Sequence, residues 1–346
     1  TATNFTYTGT PIVNATYSGS TGTRTLAVHQ SGGGSESNAI SFNISAGSDT
    51  VAFSSSSYIK NLDYSGFSGT VAASTTNRFI YGNLKLSSTC TVATSNGGMS
   101  FLSSSGVQQI TSNNVTIDQP ITVNCGGTVA LQDNFTTTAS SGFTLTAGTV
   151  DLNNKTLTCV GWVSNNSNTR AIAFGTGQIT LTGNNTTVLN LSNSTGFSYT
   201  GTPLFVSNYS GSTGTRNFRV TSGYTDSNVV SVAITAGSDT VNMFNGFKNV
   251  DYTGFTGTLA NGYAGGASGG CTNCGGSGGG AGGAASYTTP GPGVSSTITG
   301  TAVSYGAGGY SVAAGGGGVL AGADGRLDYF RHADIGARRV EAAGGE

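Results

Sequence analysis

Two stretches of this chain are copies of one another. Tyr17-Ser-Gly-Ser-Thr-Gly-Thr-Arg24 returns unchanged as Tyr209 to Arg216, and Phe5-Thr-Tyr-Thr-Gly-Thr-Pro11 returns as Phe197-Ser-Tyr-Thr-Gly-Thr-Pro203, both 192 positions later. Ala46-Gly-Ser-Asp-Thr-Val51 returns at Ala236 to Val241, and Asp63-Tyr-Ser-Gly-Phe-Ser-Gly-Thr70 returns as Asp251-Tyr-Thr-Gly-Phe-Thr-Gly-Thr258, small gaps shortening the offset. A repeat of about 190 residues exceeds any single solenoid coil, so each copy must contain many coils, and copies laid end to end build a rod. Such an organisation suits a scaffold or adhesin better than an enzyme.

Period-2 alternation fills the region between the copies: Phe143-Thr-Leu-Thr146, Thr149-Val-Asp-Leu152, Lys155-Thr-Leu-Thr-Cys-Val160, Gln178-Ile-Thr-Leu-Thr182 and Thr187-Val-Leu-Asn-Leu191. Each predicts a short β-strand with one buried face. The breaks are rich in Asn and Gly, as at Asn113-Asn114, Gly126-Gly127, Asn153-Asn154, Asn165-Asn166 and Asn184-Asn185, residues that tolerate positive φ and suit tight corners. Helical periodicity is missing. The expectation is an all-β protein, either a sandwich pair on a linker or a parallel β-helix. Duplication lengthens a solenoid without rebuilding its core, which favours the elongated parallel β-helix.

Composition excludes several functions. Only 8% of residues are charged, against a usual share of about 25%. The net charge of −1 supplies no basic field for a nucleic-acid backbone, and no run of about 18 apolar residues offers a membrane span. No secretory signal is visible at the N-terminus, and Thr1, falling inside a repeat copy, predicts a chain cut from something longer or processed. Low charge fits a stack of coils: side chains about 4.8 Å from their copies repel if charged alike, whereas Asn, Thr and Ser can hydrogen-bond along the stack.

Three regions emerge. Residues 1–260 form the duplicated β-solenoid region, with related copies at 5–72 and 197–260. Residues 261–322 form a Gly-rich module: 24 of the 57 glycines lie between 262 and 325, and no charge occurs between Asp251 and Asp324. A flexible linker and polyproline-II-like glycine packing both fit this stretch, although Tyr263, Tyr287, Tyr305 and Tyr310 are unusual for a linker. Residues 323–346 form a charged tail with nine of the 27 charged residues, and a helix from Tyr329 to Val340 is the expectation there.

Chemistry-bearing residues are few. Glycoside cleavage needs two placed carboxylates, and Asp118, Asp133 and Asp151 could approach one another near Lys155 and Arg170. The plainer expectation is that they are exposed strand and turn residues. His29 and His332, the two histidines, lie in divergent segments and support no Ser-His-Asp arrangement. Cys90, Cys125 and Cys159 sit in strand-like sequence as small apolar residues. Cys271-Thr-Asn-Cys274 has no second ligand pair, so a local disulfide, a crosslink between subunits or free thiols are favoured over zinc. The expectation is therefore no catalytic residue, no metal and no cofactor. Thr-x-Thr steps beginning at Thr89, Thr144, Thr156 and Thr180 loosely resemble ice-binding ladders, but β-propensity alone explains them.

Ile110-Thr-Ser-Asn-Asn-Val-Thr-Ile-Asp-Gln-Pro-Ile-Thr122, Leu145-Thr-Ala-Gly-Thr-Val-Asp-Leu-Asn-Asn-Lys-Thr-Leu-Thr158 and Phe174-Gly-Thr-Gly-Gln-Ile-Thr-Leu-Thr-Gly183, with Phe67-Ser-Gly-Thr70 and Val129-Ala-Leu-Gln-Asp133, resemble repeat segments of tail-fibre and appendage proteins of aquatic tailed phages. Gly291-Pro-Gly-Val-Ser-Ser-Thr-Ile-Thr-Gly300 before Tyr305-Gly-Ala-Gly-Gly309 resembles the Gly-rich distal regions of such fibres. The likeness implies a virion or extracellular homo-oligomer, a trimer or filament, whose Gly-rich end meets a host surface glycan or protein. Tyr287, Tyr305 and Tyr310 are then receptor-contact candidates, since aromatic rings stack on sugars. The charged tail departs from the apolar strand expected to close such a tip. A bacterial or archaeal surface filament or adhesin is the rival reading, and a β-helical polysaccharide depolymerase a lesser one.

Overall fold

The computed structural model describes residues 8–26, 34–54, 56–94, 97–184, 187–221 and 229–260, and the backbone of four short strands further on. Its contacts divide the chain into two units, 1–259 and 260–346.

The first unit is a parallel β-solenoid with three faces, here named in the order the chain crosses them. In the first coil β1 (Ile12–Ala15) lies on the second face and β2 (Thr23–Leu26) on the third; β3 (Ile40–Ile44) and β4 (Thr50–Phe53) stack on them one coil later. β5 (Ser57–Asp63) bends across the first and second faces, and β6 (Thr70–Val71) takes the third. β7 (Arg78–Ile80), β8 (Leu84–Lys85) and β9 (Thr91–Val92) make the fourth coil. In the fifth, β10 (Met99–Phe101) and β11 (Val107–Thr111) precede a bridge from Ile117 to Thr137 on the third face. β12 (Ile121–Leu131) with β13 (Phe135–Thr136), then β14 (Phe143–Asp151) with β15 (Thr156–Cys159), make the sixth and seventh coils, the longer strand of each covering two faces.

β16 (Trp162–Val163), β17 (Arg170–Gly175) and β18 (Gln178–Leu181) make the eighth coil, and β19 (Leu189–Leu191), β20 (Phe197–Gly201) and β21 (Leu204–Ser207) the ninth. β22 (Thr215–Val220) and β24 (Thr240–Phe244) continue the first face, β23 (Ser231–Ile234) and β25 (Val250–Asp251) the third, and β26 (Thr258–Leu259) opens a twelfth coil. Every pairing among the described residues of this unit is parallel. In the second unit β27 (Val294–Ser296) pairs antiparallel with β28 (Val303–Tyr305), and β29 (Val319–Ala321) with β30 (Leu327–Tyr329). The remainder of the expected Tyr329–Val340 helix lies outside the described residues.

Alternation sets the core. On the first face Ile59, Ile80, Phe101, Val123 and Leu145 stack in register, each fully buried. Phe135, Leu157, Ile179, Phe205 and Val232 form the same kind of file on the third face. Each such side chain contributes roughly 1.5–3 kcal/mol of transfer free energy, while the ladder satisfies the backbone from coil to coil. The sandwich alternative is excluded here because no antiparallel pairing joins the strands of the solenoid.

Corners follow the Asn prediction in part. Asn113, Asn114, Asn153 and Asn154 have positive φ, and the Asn153 side chain donates to the Leu131 carbonyl of the preceding coil at 3.0 Å. Asn165 and Asn166 do not adopt positive φ. Gly126 and Gly127 lie inside β12, where it turns from the first face to the second. A Cβ on Gly126 would stand 2.2 Å from the Ser104 carbonyl oxygen, so close coil approach, not handedness, requires glycine there.

The duplicated segment does not return to the same face. β1, β3 and the end of β5 lie on the second face and β2, β4 and β6 on the third; their sequence counterparts β21, β23 and β25 lie on the third, and β22, β24 and β26 on the first. The 192-residue offset thus spans eight coils and one face. The second copy is rotated by about a third of a turn about the solenoid axis.

Candidate functional site

The residues most faithfully duplicated build a clasp. Arg24 donates from Nε and Nη2 to both carboxylate oxygens of Asp49 at 2.8 and 2.7 Å, and from Nη2 to the Ala46 carbonyl at 2.8 Å. Its guanidinium lies 5.5 Å from the ring centroids of Tyr17 and Phe67. Arg216 repeats this with Asp239 at 2.8 and 2.7 Å, Ala236 at 3.0 Å, and the rings of Tyr209 and Phe255 at 5.4 and 5.6 Å. Gly47 and Gly237 close each clasp with φ near +102 and +103°, and a Cβ at either would meet the guanidinium. A bidentate, ring-flanked arginine in a buried corner orders the long turn that precedes its strand. Three of the four matched motifs meet here: Tyr17–Arg24, Ala46–Val51 and Asp63–Thr70, with their counterparts in the second copy. The repeat itself was the signal for these residues, although the sequence alone assigned them no role.

One difference separates the clasps. Arg216 Nη1 donates to Ser207 Oγ at 2.7 Å, whereas Arg24 Nη1 is buried without a partner because Ala15 stands at the corresponding position.

The sequence-predicted carboxylates are committed to turns. Asp133 accepts from the Ser112 amide at 3.0 Å, the Ser112 hydroxyl at 2.8 Å and the Asn113 amide. Asp151 accepts from the Asn153 amide at 2.8 Å, and Asp118 from the Thr94 hydroxyl at 2.5 Å. Arg170 is buried, and its guanidinium bonds go to Ser164 Oγ and to the carbonyls of Ser164, Asn168, Asn193 and Thr195. Among the described residues no ion pair joins Asp118, Asp133 or Asp151 to Lys155 or Arg170.

A shallow groove of about 520 Å³ runs beside Arg170, lined by Cys125, Gly126, Gly127, Gly148 and Thr169 among others. Its lining offers neither an aromatic platform nor a carboxylate. Cys90, Cys125 and Cys159 are buried and free, and burial pushes each thiol upward, as expected for cysteines used as small apolar residues. Among the described residues no group of three or more His, Cys, Asp or Glu could hold a metal ion, and no helix is long and apolar enough to cross a membrane.

A second feature the sequence reading missed is a strap over the first face. The turn Glu36–Asn38 lies outside the solenoid, where Glu36 accepts from Lys60 Nζ at 2.7 Å and, through its other oxygen, from the Ser104 amide and hydroxyl at 2.8 and 2.7 Å. Tyr81 donates to the Gly34 carbonyl at 3.1 Å, and Gly34 lies so close to the Tyr58 ring that a Cβ would stand 2.1 Å from it. Burial alone would raise the Glu36 carboxyl, but the bonds from Lys60 and Ser104 outweigh it and hold the group down at about 2.

The Thr-x-Thr ladder is incomplete: Thr136, Thr158 and Thr180 stack in one file that ends at Val206, and the neighbouring file passes from Thr156 to Gln178. Tyr287, Tyr310, Cys271, Cys274, His29 and His332 lie outside the described residues. Tyr305 ends β28, where only its backbone is described. No protein-family model, curated protein or solved structure matches the chain.

Proposed function

We propose that the chain is a non-catalytic structural fibre or attachment protein, a phage tail fibre or virion appendage whose Gly-rich part meets a host surface glycan or protein. The observation carrying this reading is the continuous parallel ladder from β1 to β26, whose carboxylates serve turns and clasps. A rod of this kind transmits position rather than performing chemistry, and Tyr287, Tyr305 and Tyr310 remain the contact residues offered for its Gly-rich end. Antibody-labelled electron microscopy of native particles tests it: label along a virion appendage is the expected result, and label confined to cell surfaces would transfer the rod to a bacterial or archaeal filament.

Catalysis is tested separately. Asp133→Ala removes the acceptor of three turn bonds and is expected to lower stability by about 1–3 kcal/mol, measured by urea unfolding. Release of reducing ends from a surface glycan by the wild-type chain, lost in Asp133→Ala or Asp151→Ala while the fold persists, would establish a depolymerase instead.

A further inference from the structure

We propose that the interior of the fourth coil binds a small monovalent anion of the halide class, held by Arg78 Nε and the Tyr64 hydroxyl. The site lies inside the solenoid and goes beyond the fibre reading, which its test neither needs nor touches.

Among the described residues three arginines are fully buried, and two of them have their charge answered. Arg216 grips the Asp239 carboxylate. Arg170 has no carboxylate but is sheathed, Nε donating to Ser164 Oγ and the two terminal nitrogens to four backbone carbonyls. Arg78 is different. It is 1% exposed, its Nη2 donates to the neutral amide oxygen of Gln119, and its Nε is buried with no partner. No ion pair among the described residues includes it. Burial lowers its pKa from the ordinary value, yet a guanidinium keeps its proton at neutral pH. A buried cation without a counter-charge is strongly destabilising, so something must answer it.

The groups around Arg78 do not. Tyr64 sits where the second face turns to the third, its amide donating to the Lys85 carbonyl at 2.7 Å, and its hydroxyl is buried with no partner. Burial pushes the phenol up by more than the Arg78 charge pulls it down, so it is a neutral O–H donor. Cys90 donates its thiol to the Ser87 carbonyl at 3.3 Å, and burial pushes that group up as well. Gln119 spends its amide nitrogen on the Ala93 carbonyl at 3.3 Å. The chain here is described from Ser56 to Thr94 and onward from Gly97, and the two residues between, Ser95 and Asn96, carry no charge. Two unanswered buried donors, one of them charged and each acting on the other's ionisation, call for a ligand that only accepts and is negative.

Size and access narrow the class. Arg78 lies in register between Ser57 and Met99 of the neighbouring coils, and the coil spacing of about 4.8 Å suits a monatomic ion better than a tetrahedral oxyanion. On the third face, among the described residues, the ladder of β2, β4, β6 and β9 stops and resumes at β13, with the Ile117–Thr137 bridge ahead of it. Side chains stitch the gap: Asn113 Nδ2 donates to the Leu86 carbonyl at 2.6 Å, Thr94 Oγ1 to Asp118 at 2.5 Å, and Gln119 to Ala93. Through Gln119 the Arg78 guanidinium is tied to this seam. Rotation of those side chains, without opening a backbone ladder, gives an ion its way in.

The test uses the full chain in sodium gluconate, titrated with sodium chloride or bromide at constant ionic strength, with urea unfolding followed through Trp162. The wild-type unfolding constant should fall with halide, about tenfold once the halide reaches ten times its Kd. Arg78→Met should be insensitive. Tyr64→Phe, which keeps the ring contact with Phe67, should need several times more halide. Crystals of the wild-type chain grown in sodium bromide and measured at the bromine edge should show an anomalous peak against Arg78 Nε and Tyr64 Oη. Wild-type stability indifferent to halide overturns the proposal, as does a halide response that survives in Arg78→Met. Bromide confined to the outer surface, an adventitious ion only, or a peak beside Arg78 without anomalous signal, a buried water, overturns it too. If Arg78→Met fails to fold, Tyr64→Phe and the bromide peak decide.

Discussion

Two arginines in the same clasp, one complete and one lacking a single bond, isolate what a buried polar atom is worth. Arg216 and Asp239 have fully buried side chains, and all three guanidinium nitrogens of Arg216 find acceptors. Arg24 shares the carboxylate geometry, but its Nη1 has no partner where Ala15 replaces the serine. Ala15→Ser should therefore stabilise the chain by about 1 kcal/mol, and Ser207→Ala should destabilise it by about 1–3 kcal/mol, since the second change strands a buried donor and the first rescues one. Chemical denaturation followed through Trp162 measures both. No gain from Ala15→Ser beside a clear loss from Ser207→Ala would mean that solvent reaches Arg24 Nη1 and that the environments differ more than the clasps do.

The strap around Glu36 is the element most exposed to pH. Its carboxyl is lowered from the ordinary value of 4.5 to about 2 by Lys60 and Ser104, so its contribution is fully present above pH 4.5 and is lost as pH falls toward 2. The group stands near the surface, which keeps that contribution small. Hydrogen exchange at the Ser104 amide, which donates to Glu36, should accelerate across that window relative to neighbouring amides of β10 and β11, after correction for intrinsic rates. Glu36→Gln should show the faster exchange already at neutral pH. No change in either experiment would mean that Tyr81 and the Tyr58 ring hold the strap without the carboxylate.

At the scale of the whole solenoid, stability is close to a sum of neighbouring-coil terms, so coils with one neighbour should open before coils with two. Exchange protection should be lowest in β1, β2 and β26 and highest from β12 to β18, where the Phe143 and Trp162 rings stack at 4.8 Å in a fully buried core. The amino-acid sequence by itself determined the all-β class, because alternating Thr and Val, Ile or Leu can bury only one side of an extended strand; it favoured the coil-to-coil ladder over a sandwich, because duplicated low-charge strands can stack without like charges in register, and the parallel pairing decided between them. It also placed Asn113 and Asn153 at corners, where their side chains tolerate positive φ. Tertiary structure alone decided the rest. The rotation of the second copy by one face depends on the residues accumulated over eight coils, a sum no local pattern records. Pairing of Arg24 with Asp49, of Glu36 with Ser104 and of Asp133 with Ser112 depends on which turns the winding brings level, and the burial of Phe205 beside the exposure of Val13 depends only on whether another coil lies next to the strand.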